Sequence, residues 1–172
     1  ESSFYHGVNI AMGLKYPALY YQQTGEKQLL EAVERNYQQL MTAYGQQPGG
    51  MFAADENIRP GYNDPRQGAE TCTMVEMMFT WETLLKITGE TIAADRVEDI
   101  AFNSLPASMT PDLRGLHYLT AANLISCDRS GEHDFQNSGT LLSYDPWSYR
   151  CCQHNVAFGW PYFSEHLWLA TS

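Results

Sequence analysis

The feature that most constrains the fold of this chain is a repeated pattern of two apolar helices joined by a Thr-Gly-Glu turn. The turn begins at Thr24 and again at Thr88, 64 positions later. In both copies the glycine can take the left-handed conformation just past the end of a helix. Two helical hairpins with the same turn predict a repeated helical architecture, either a solenoid or a toroid.

Apolar residues recur at three- and four-residue spacing in three segments, which predicts amphipathic helices. The three stripes are Leu29, Leu30, Val33, Tyr37, Leu40, Met41 and Tyr44; Met74, Val75, Met78, Trp81 and Leu85; and Ala93, Ala94, Val97, Ile100 and Ala101. Pro17 lies inside an earlier helical pattern and predicts a kink or a restart there. The chain is therefore expected to be mainly α-helical.

The pattern changes after Leu105. Residues 116–120 predict a short strand and residues 129–147 predict irregular chain. A last helix is expected over 155–169, distorted by Pro161. Because no second domain is visible in 172 residues, we expect the whole chain to belong to one domain.

Charge and hydropathy exclude two classes of partner. The formal net charge is −10, and both nucleic acid and anionic membranes require a basic face. No stretch approaches the roughly 18 consecutive apolar residues of a membrane span. A neutral carbohydrate is compatible with the negative net charge. The 11 Tyr, 7 Phe and 4 Trp suit either stacking on sugars or an aromatic core.

A glycine- and proline-rich connection, 45–68, separates the two hairpins. Loops of this length are uncommon and are usually functional or disordered. This one contains the apolar run 51–54 and Tyr62, side chains that need cover. We therefore expect an ordered, functional loop, on which Glu56 is either an active carboxylate or a solvated surface acid.

Three cysteines and one glutamate form the strongest chemical pattern. Glu70-Thr-Cys72 and the doublet Cys151-Cys152 supply three thiols and a carboxylate, a set that fills a tetrahedral zinc site. A doublet on one ion is expected to require an irregular backbone. The alternatives are buried thiols without a metal and a Cys151–His154 pair acting as in thiol hydrolases.

These motifs resemble one known family. Gly49-Gly50-Met51-Phe52, Asp55-Glu56, Ala69-Glu70-Thr71-Cys72 and Cys151-Cys152 with Asn155 resemble the β-L-arabinofuranosidases of glycoside hydrolase family 127 and the related family 146. His6, followed by a helix that ends at Thr24-Gly25, fits the same resemblance. Its most specific part is Glu-Thr-Cys followed about 80 residues later by Cys-Cys.

The resemblance implies a set of residue roles. Zn²⁺ would be held by Glu70, Cys72, Cys151 and Cys152, with Cys151 as the nucleophile. Glu56 would be the general acid/base, with Asp55 as the fallback. His6 and His154 would bind a carbohydrate substrate. The Gln153-His154 pair stands where many family members have Pro-Pro, which indicates a distinct branch.

The resemblance also implies a fold, an (α/α) barrel followed by β-sandwich domains. About five helices are visible, and the sequence opens at Glu1 without an initiator methionine. We therefore expect residues 1–172 to be part of the barrel with a short β-hairpin insertion, partnered by the remainder of the parent catalytic domain and lacking the β-sandwiches. The alternatives are a structural zinc module and a helical interaction domain without metal.

Overall fold

The computed structural model describes residues 4–61, 66–122, 124–130, 135, 141–143 and 150–170. Within these residues the fold is mainly helical, as predicted. The helices are α1 (Gly7–Gly13), α2 (Tyr16–Thr24), α3 (Gln28–Tyr44), α4 (Thr71–Thr88), α5 (Thr91–Asp99) and α6 (Arg150–Glu165). A π-helical turn over Ile100–Ser104 and a 3₁₀ turn over Leu105–Ser108 continue α5.

The two Thr-Gly-Glu turns have the same structure. Gly25 and Gly89 both have φ 72°, the left-handed conformation that glycine adopts without strain. The backbone N–H of each glycine donates to the carbonyl four residues earlier at 2.8 Å. Thr24 and Thr88 accept a hydrogen bond from the backbone N–H two residues later, at 3.2 and 3.1 Å. The predicted repeat is therefore confirmed in both hairpins.

Pro17 acts as the sequence predicts. α1 ends at Gly13, and α2 begins at Tyr16 with the proline in its first turn. The missing N–H of proline costs no hydrogen bond at that position. The helical pattern is therefore divided into two short helices.

Helix α4 forms the centre of the core, since it packs against α1, α5 and α6. Its buried apolar residues surround the helix instead of forming one stripe; they are Met74, Val75, Met77, Met78, Trp81 and Leu84. A helix that is apolar on most sides must be covered by neighbours. The other helices provide that cover.

The strands form two short antiparallel pairs. β1 (Ala69–Glu70) pairs with β3 (Leu119–Thr120), and β2 (Leu116–His117) pairs with β4 (Leu142–Ser143). The predicted strand 116–120 is thus divided at Tyr118, whose N–H donates to Leu141 at 2.8 Å and whose C=O accepts from Thr71 at 3.1 Å. Each pair joins segments that are distant in sequence.

The long loop is ordered in its described part, as predicted. Met51, Phe52, Ala53 and Ala54 are fully buried. Tyr62 lies outside the described residues, as does most of the segment 129–147. The buried run anchors the loop in the core and brings Glu56 directly after it.

The last helix differs from the prediction. It begins at Arg150, five residues earlier than expected, ends at Glu165 and continues through Pro161. The cysteine doublet therefore lies in the first turn of α6. The expectation that two neighbouring cysteines require an irregular backbone was wrong, because residues in a first helical turn can direct consecutive side chains toward a group at the helix end.

Candidate metal centre and active site

The four predicted ligands lie at the beginnings of two helices. Glu70 is the last residue of β1 and immediately precedes α4, and Cys72 is the second residue of α4. Cys151 and Cys152 follow Arg150 at the start of α6. Pairing of Glu70 with Leu119 holds the glutamate backbone extended, with φ −78° and ψ 140°.

The structure brings these side chains together. One ligand atom from each of Glu70, Cys72, Cys151 and Cys152 lies within 4.8 Å of the others. The Cys72 and Cys152 sulfurs are 3.1 Å apart, and the Cys152 sulfur lies 3.5 Å from Glu70 Oε1. Zinc–sulfur bonds of about 2.3 Å place tetrahedral sulfurs about 3.8 Å apart, so small adjustments suffice for coordination.

Burial divides the cluster into three enclosed groups and one open group. Glu70, Cys72 and Cys152 are 1% exposed or less, whereas Cys151 is exposed. The second carboxylate oxygen of Glu70, Oε2, is buried without a hydrogen-bond partner in the described structure. Buried polar atoms rarely lack partners, and a coordinated cation would satisfy this one. The donor set therefore fits a thiophilic divalent metal such as zinc.

Burial is the largest influence on the ionisation of Glu70. Burial raises its pKa from 4.5 to about 7, against the lowering effect of a hydrogen bond with Cys72. The negative charges of Glu56 and Cys151 raise this pKa further. Glu56 is therefore close enough to interact with the cluster.

The pKa values of the three thiols are shifted in different directions. Hydrogen bonds from Cys152 and then Cys72 lower the pKa of Cys151 far below that of an ordinary thiol. The bond with Cys151 is also the largest cause that raises the pKa of Cys72 and that of Cys152. Among the three thiols, Cys151 is therefore the one whose surroundings favour the thiolate.

Helix ends favour the same charge distribution. The N-termini of α4 and α6 both meet the cluster, and the positive end of a helix dipole stabilises a thiolate. The two helices run in the same direction. Farther along them, Glu82 Oε2 of α4 lies 3.4 Å from His166 Nδ1, just past the end of α6.

Glu56 lies beside His6. Its Oε1 is 3.7 Å from His6 Nε2, and its side chain is 36% exposed. Glu56 also has φ 77°, a left-handed conformation that is costly for a residue with a side chain. The hydrogen bond from the Gly7 N–H to the Glu56 carbonyl, at 2.8 Å, holds this conformation at the start of α1.

Asp55 is unsuited to the fallback role of acid/base. It is fully buried, and its Oδ2 lies 2.8 Å from Arg59 Nη2. A fully buried carboxylate that is paired with a guanidinium serves the structure of the loop. Of the two neighbouring acids, Glu56 is the one that solvent reaches.

His154 is exposed on α6, one turn after the nucleophile candidate. The Cys151 sulfur takes its side-chain hydrogen bonds from Cys152 and Cys72, and among the described contacts none joins it to His154. This arrangement does not favour the Cys–His pair of a thiol hydrolase. A substrate-binding role for His154 remains a prediction.

One contact was not predicted. The Asn155 side chain lies near the Cys72 thiol and acts to lower its pKa. The family motif described in the sequence analysis includes Asn155, but no role was predicted for this residue. A sequence prediction that began α6 at Arg150 would have indicated this contact, because positions 151 and 155 then lie on the same face of the helix. Cys127, the fourth cysteine of the chain, is not a member of the cluster.

Comparisons with known proteins identify one family. The family model described as β-L-arabinofuranosidase, GH127 catalytic domain, matches residues 7–165. No curated protein and no solved structure matches the chain. In the part of the chain that the structure describes, no helix is both long and apolar enough to span a membrane.

Proposed function

Because the chain belongs to the catalytic domains of glycoside hydrolase family 127, we propose that it cleaves glycosides with Cys151 as a covalent nucleophile. The observation that carries the proposal is the Glu70–Cys72–Cys151–Cys152 cluster, in which Cys151 is the one exposed residue. A structural zinc site does not require a cysteine that solvent can reach, whereas a nucleophile must be accessible to the substrate. The substrate class follows from the family: β-L-arabinofuranosides or related sugars at non-reducing ends.

The proposed cofactor is Zn²⁺, held by Glu70, Cys72, Cys151 and Cys152. When bound, zinc supplies positive charge that keeps the thiolates deprotonated and fixes their positions. The unsatisfied Oε2 of Glu70 and the short distances between the sulfurs support this ligand set. The overall negative charge of the four groups supports it as well.

The reaction proceeds in two displacements. The Cys151 sulfur attacks the anomeric carbon and forms a carbon–sulfur bond while the bond to the leaving-group oxygen breaks. Glu56, protonated at this stage, donates its proton to that oxygen. In the second step Glu56 takes a proton from water, the water oxygen bonds to the anomeric carbon, and the thiolate leaves. Two inversions retain the anomeric configuration.

His6 and His154 are proposed to bind the sugar. His6 is the better supported of the two, because its Nε2 lies 3.7 Å from Glu56 Oε1. An imidazole at that distance can orient the carboxyl group and still donate to a sugar hydroxyl. His154 lies one turn from Cys151 and faces solvent.

The rival function is a helical domain whose zinc site serves stability alone. It requires metal binding without a sulfur available to substrate. Exposure of Cys151 and the proximity of Glu56 to the cluster argue for catalysis. The two functions differ in what Cys151→Ser does to turnover when metal remains bound.

The test combines metal content with hydrolysis of aryl β-L-arabinofuranoside and a panel of other aryl glycosides. We expect about one zinc per chain, turnover by the wild-type protein and no turnover by Cys151→Ser. Cys72→Ser should lose metal and stability, whereas Cys127→Ser, the matched control, should retain metal and activity. Full activity of Cys151→Ser would refute the proposed nucleophile, and a metal-free active protein would refute the zinc site.

A further inference from the structure

Glu82 is a buried carboxylate that lies outside the metal cluster. The residue is 1% exposed, and neither Oε1 nor Oε2 has a hydrogen-bond partner in the part of the chain that the structure describes. Buried side-chain oxygens nearly always have partners, because an unpaired polar group away from water costs free energy. Two unpaired oxygens on one buried carboxylate therefore indicate a place where a donor can bind.

The neighbouring side chains do not supply this donor. His166 Nδ1 lies 3.4 Å from Glu82 Oε2 but only 2.7 Å from the carbonyl oxygen of Tyr162. Because a carbonyl can only accept, the Nδ1 proton is directed at Tyr162 and not at Glu82. Lys86, one turn later on α4, acts on Glu82 through its charge, but it forms no hydrogen bond with the carboxylate among the described residues.

Glu82 and His166 line a cavity of about 160 Å³ between α4, α5 and the end of α6. The cavity is much smaller than the roughly 300–1,000 Å³ of pockets for drug-sized ligands, so it fits a group the size of one side chain. Most of its wall is apolar and is formed by Leu85, Ala94, Val97, Phe163, Leu167 and Leu169.

The charges around the cavity favour a cation. Glu98 lines the cavity together with Glu82. Burial raises the pKa of Glu82 to about 7, the charge of Lys86 opposes this shift, and the charge of Glu165 adds to it. A bound cation would stabilise the buried carboxylate, whereas an anion would be repelled by the three acidic side chains.

We propose that this cavity binds a guanidinium group on an aliphatic stem, with two N–H groups of the ligand donating to the two oxygens of Glu82. A planar guanidinium matches a carboxylate in this paired geometry, and it is more weakly hydrated than an ammonium group. The methylene groups of the stem pack against the apolar wall. Such a group belongs either to a free alkylguanidine or to an arginine side chain of a polypeptide.

An NMR titration of the full protein with n-butylguanidinium tests the inference. The titration is carried out at pH 8, where most of Glu82 is ionised. We expect the ligand to shift the signals of His166, Leu85 and Val97, which line the cavity. n-Butylammonium, which lacks the paired N–H groups, should bind more weakly. n-Butylurea, which has a similar shape but no charge, should bind most weakly of the three.

Three variants identify the site. Glu82→Gln keeps the size of the side chain but removes its charge, and it should weaken binding of n-butylguanidinium about 10- to 100-fold, as expected for a hydrogen bond to a charged group. Ala94→Leu fills the cavity from α5 and should weaken binding as well; it provides the test if Glu82→Gln does not fold. Glu90→Gln, which changes an exposed acid in a turn, is the control and should bind like the wild type.

A further titration with N-acetyl-arginine-methylamide distinguishes the two sources of the ligand. Binding as tight as that of n-butylguanidinium would support an arginine side chain, and binding of n-butylguanidinium alone would support a free alkylguanidine. The inference is overturned if n-butylurea binds as tightly as n-butylguanidinium, if Glu82→Gln and Ala94→Leu both keep the affinity of the wild type, or if the folded wild type shows no shift at the cavity residues. These measurements do not depend on the metal cluster or on hydrolysis, so they test the cavity separately from the proposed function.

Discussion

Solvent exposure distinguishes Cys151 from the three side chains that share its cluster. Hydrogen bonds with Cys152 and Cys72 lower the pKa of the Cys151 thiol. Glu56 stands outside the cluster but interacts with it electrostatically, and its strained backbone places a carboxyl group beside His6. These features give each residue a separable role and make single substitutions informative.

The proposed role of Glu56 predicts a result that depends on the leaving group. Glu56→Gln should fold and bind zinc like the wild type. Its rate of hydrolysis of substrates with poor leaving groups should be about 10²–10⁴-fold lower. The loss in the first step should be smaller for good leaving groups, which depart without protonation. Steady-state hydrolysis of a series of aryl glycosides measures both effects.

The control for this prediction is Glu31→Gln, which changes an exposed carboxylate whose side chain is 71% accessible. It should leave all rates unchanged. Asp55→Asn should instead lower stability, because Arg59 loses its buried partner. If Glu56→Gln hydrolyses poor leaving groups as fast as the wild type does, another residue is the acid.

Sequence reasoning identified the four cluster residues because their spacing matches a family motif. It could not supply the Asn155 contact, since that contact depends on where α6 begins. Tyr149, which precedes Arg150 in the sequence, is not among the preferred helix-capping residues, so the start of α6 is not clearly marked. The pairing of Glu70 with Leu119 is equally hidden, because two-residue strands have no periodicity to detect.

At the scale of elements, α4 and α6 form the frame of the site. Both begin at the cluster and run in the same direction, and a second polar contact joins them farther along. There Glu82, 1% exposed, faces His166 at 3.4 Å. Burial raises the pKa of Glu82 from 4.5 to about 7, with Lys86 lowering it and Glu165 raising it.

This raised pKa predicts a pH-dependent stability. Between pH 4.5 and 7 the folded protein holds a proton on Glu82 that the unfolded chain releases. The free energy of unfolding should therefore fall as pH rises through this window and stay level above it. Glu82→Gln, which cannot ionise, should lack this contribution.

Urea unfolding of the wild type and Glu82→Gln at several pH values measures the effect. The variant should gain about 1–3 kcal/mol relative to the wild type between pH 5 and pH 8. Glu90→Gln, an exposed acid in a turn, is the control and should follow the wild type. Parallel curves for Glu82→Gln and the wild type would contradict the raised pKa of Glu82.

At the scale of the whole molecule, two similar hairpins pack against each other at an aromatic contact. Tyr37 of α3 and Trp81 of α4 form an edge-to-face pair with ring centroids 4.7 Å apart. Arg96 of α5 lies over both rings, at 4.1 and 4.4 Å, and bonds twice to Glu34 at 3.0 Å. The repeat in the sequence predicted the two hairpins, but their contact depends on packing between distant segments.

The aromatic contact predicts where stability is concentrated. Trp81→Ala should lower the free energy of unfolding by about 3–5 kcal/mol, because it leaves a cavity and removes a ring from Arg96 and Tyr37. Ile125→Ala is the control: its side chain is fully exposed, and the change should stay within about 0.5 kcal/mol. Equal effects of the two substitutions would mean that the hairpins are held together elsewhere.

The central claim is that the exposed sulfur of the cluster attacks the sugar, and covalent trapping tests it most directly. The protein is treated with a slow β-L-arabinofuranoside substrate or an electrophilic sugar mimic, digested and mapped by mass spectrometry. Competition with free sugar controls for nonspecific alkylation. The account predicts one sugar equivalent on Cys151, none on Cys127 and none in Cys151→Ser. A label on Glu56 or another carboxylate, with Cys151→Ser still active, would contradict it.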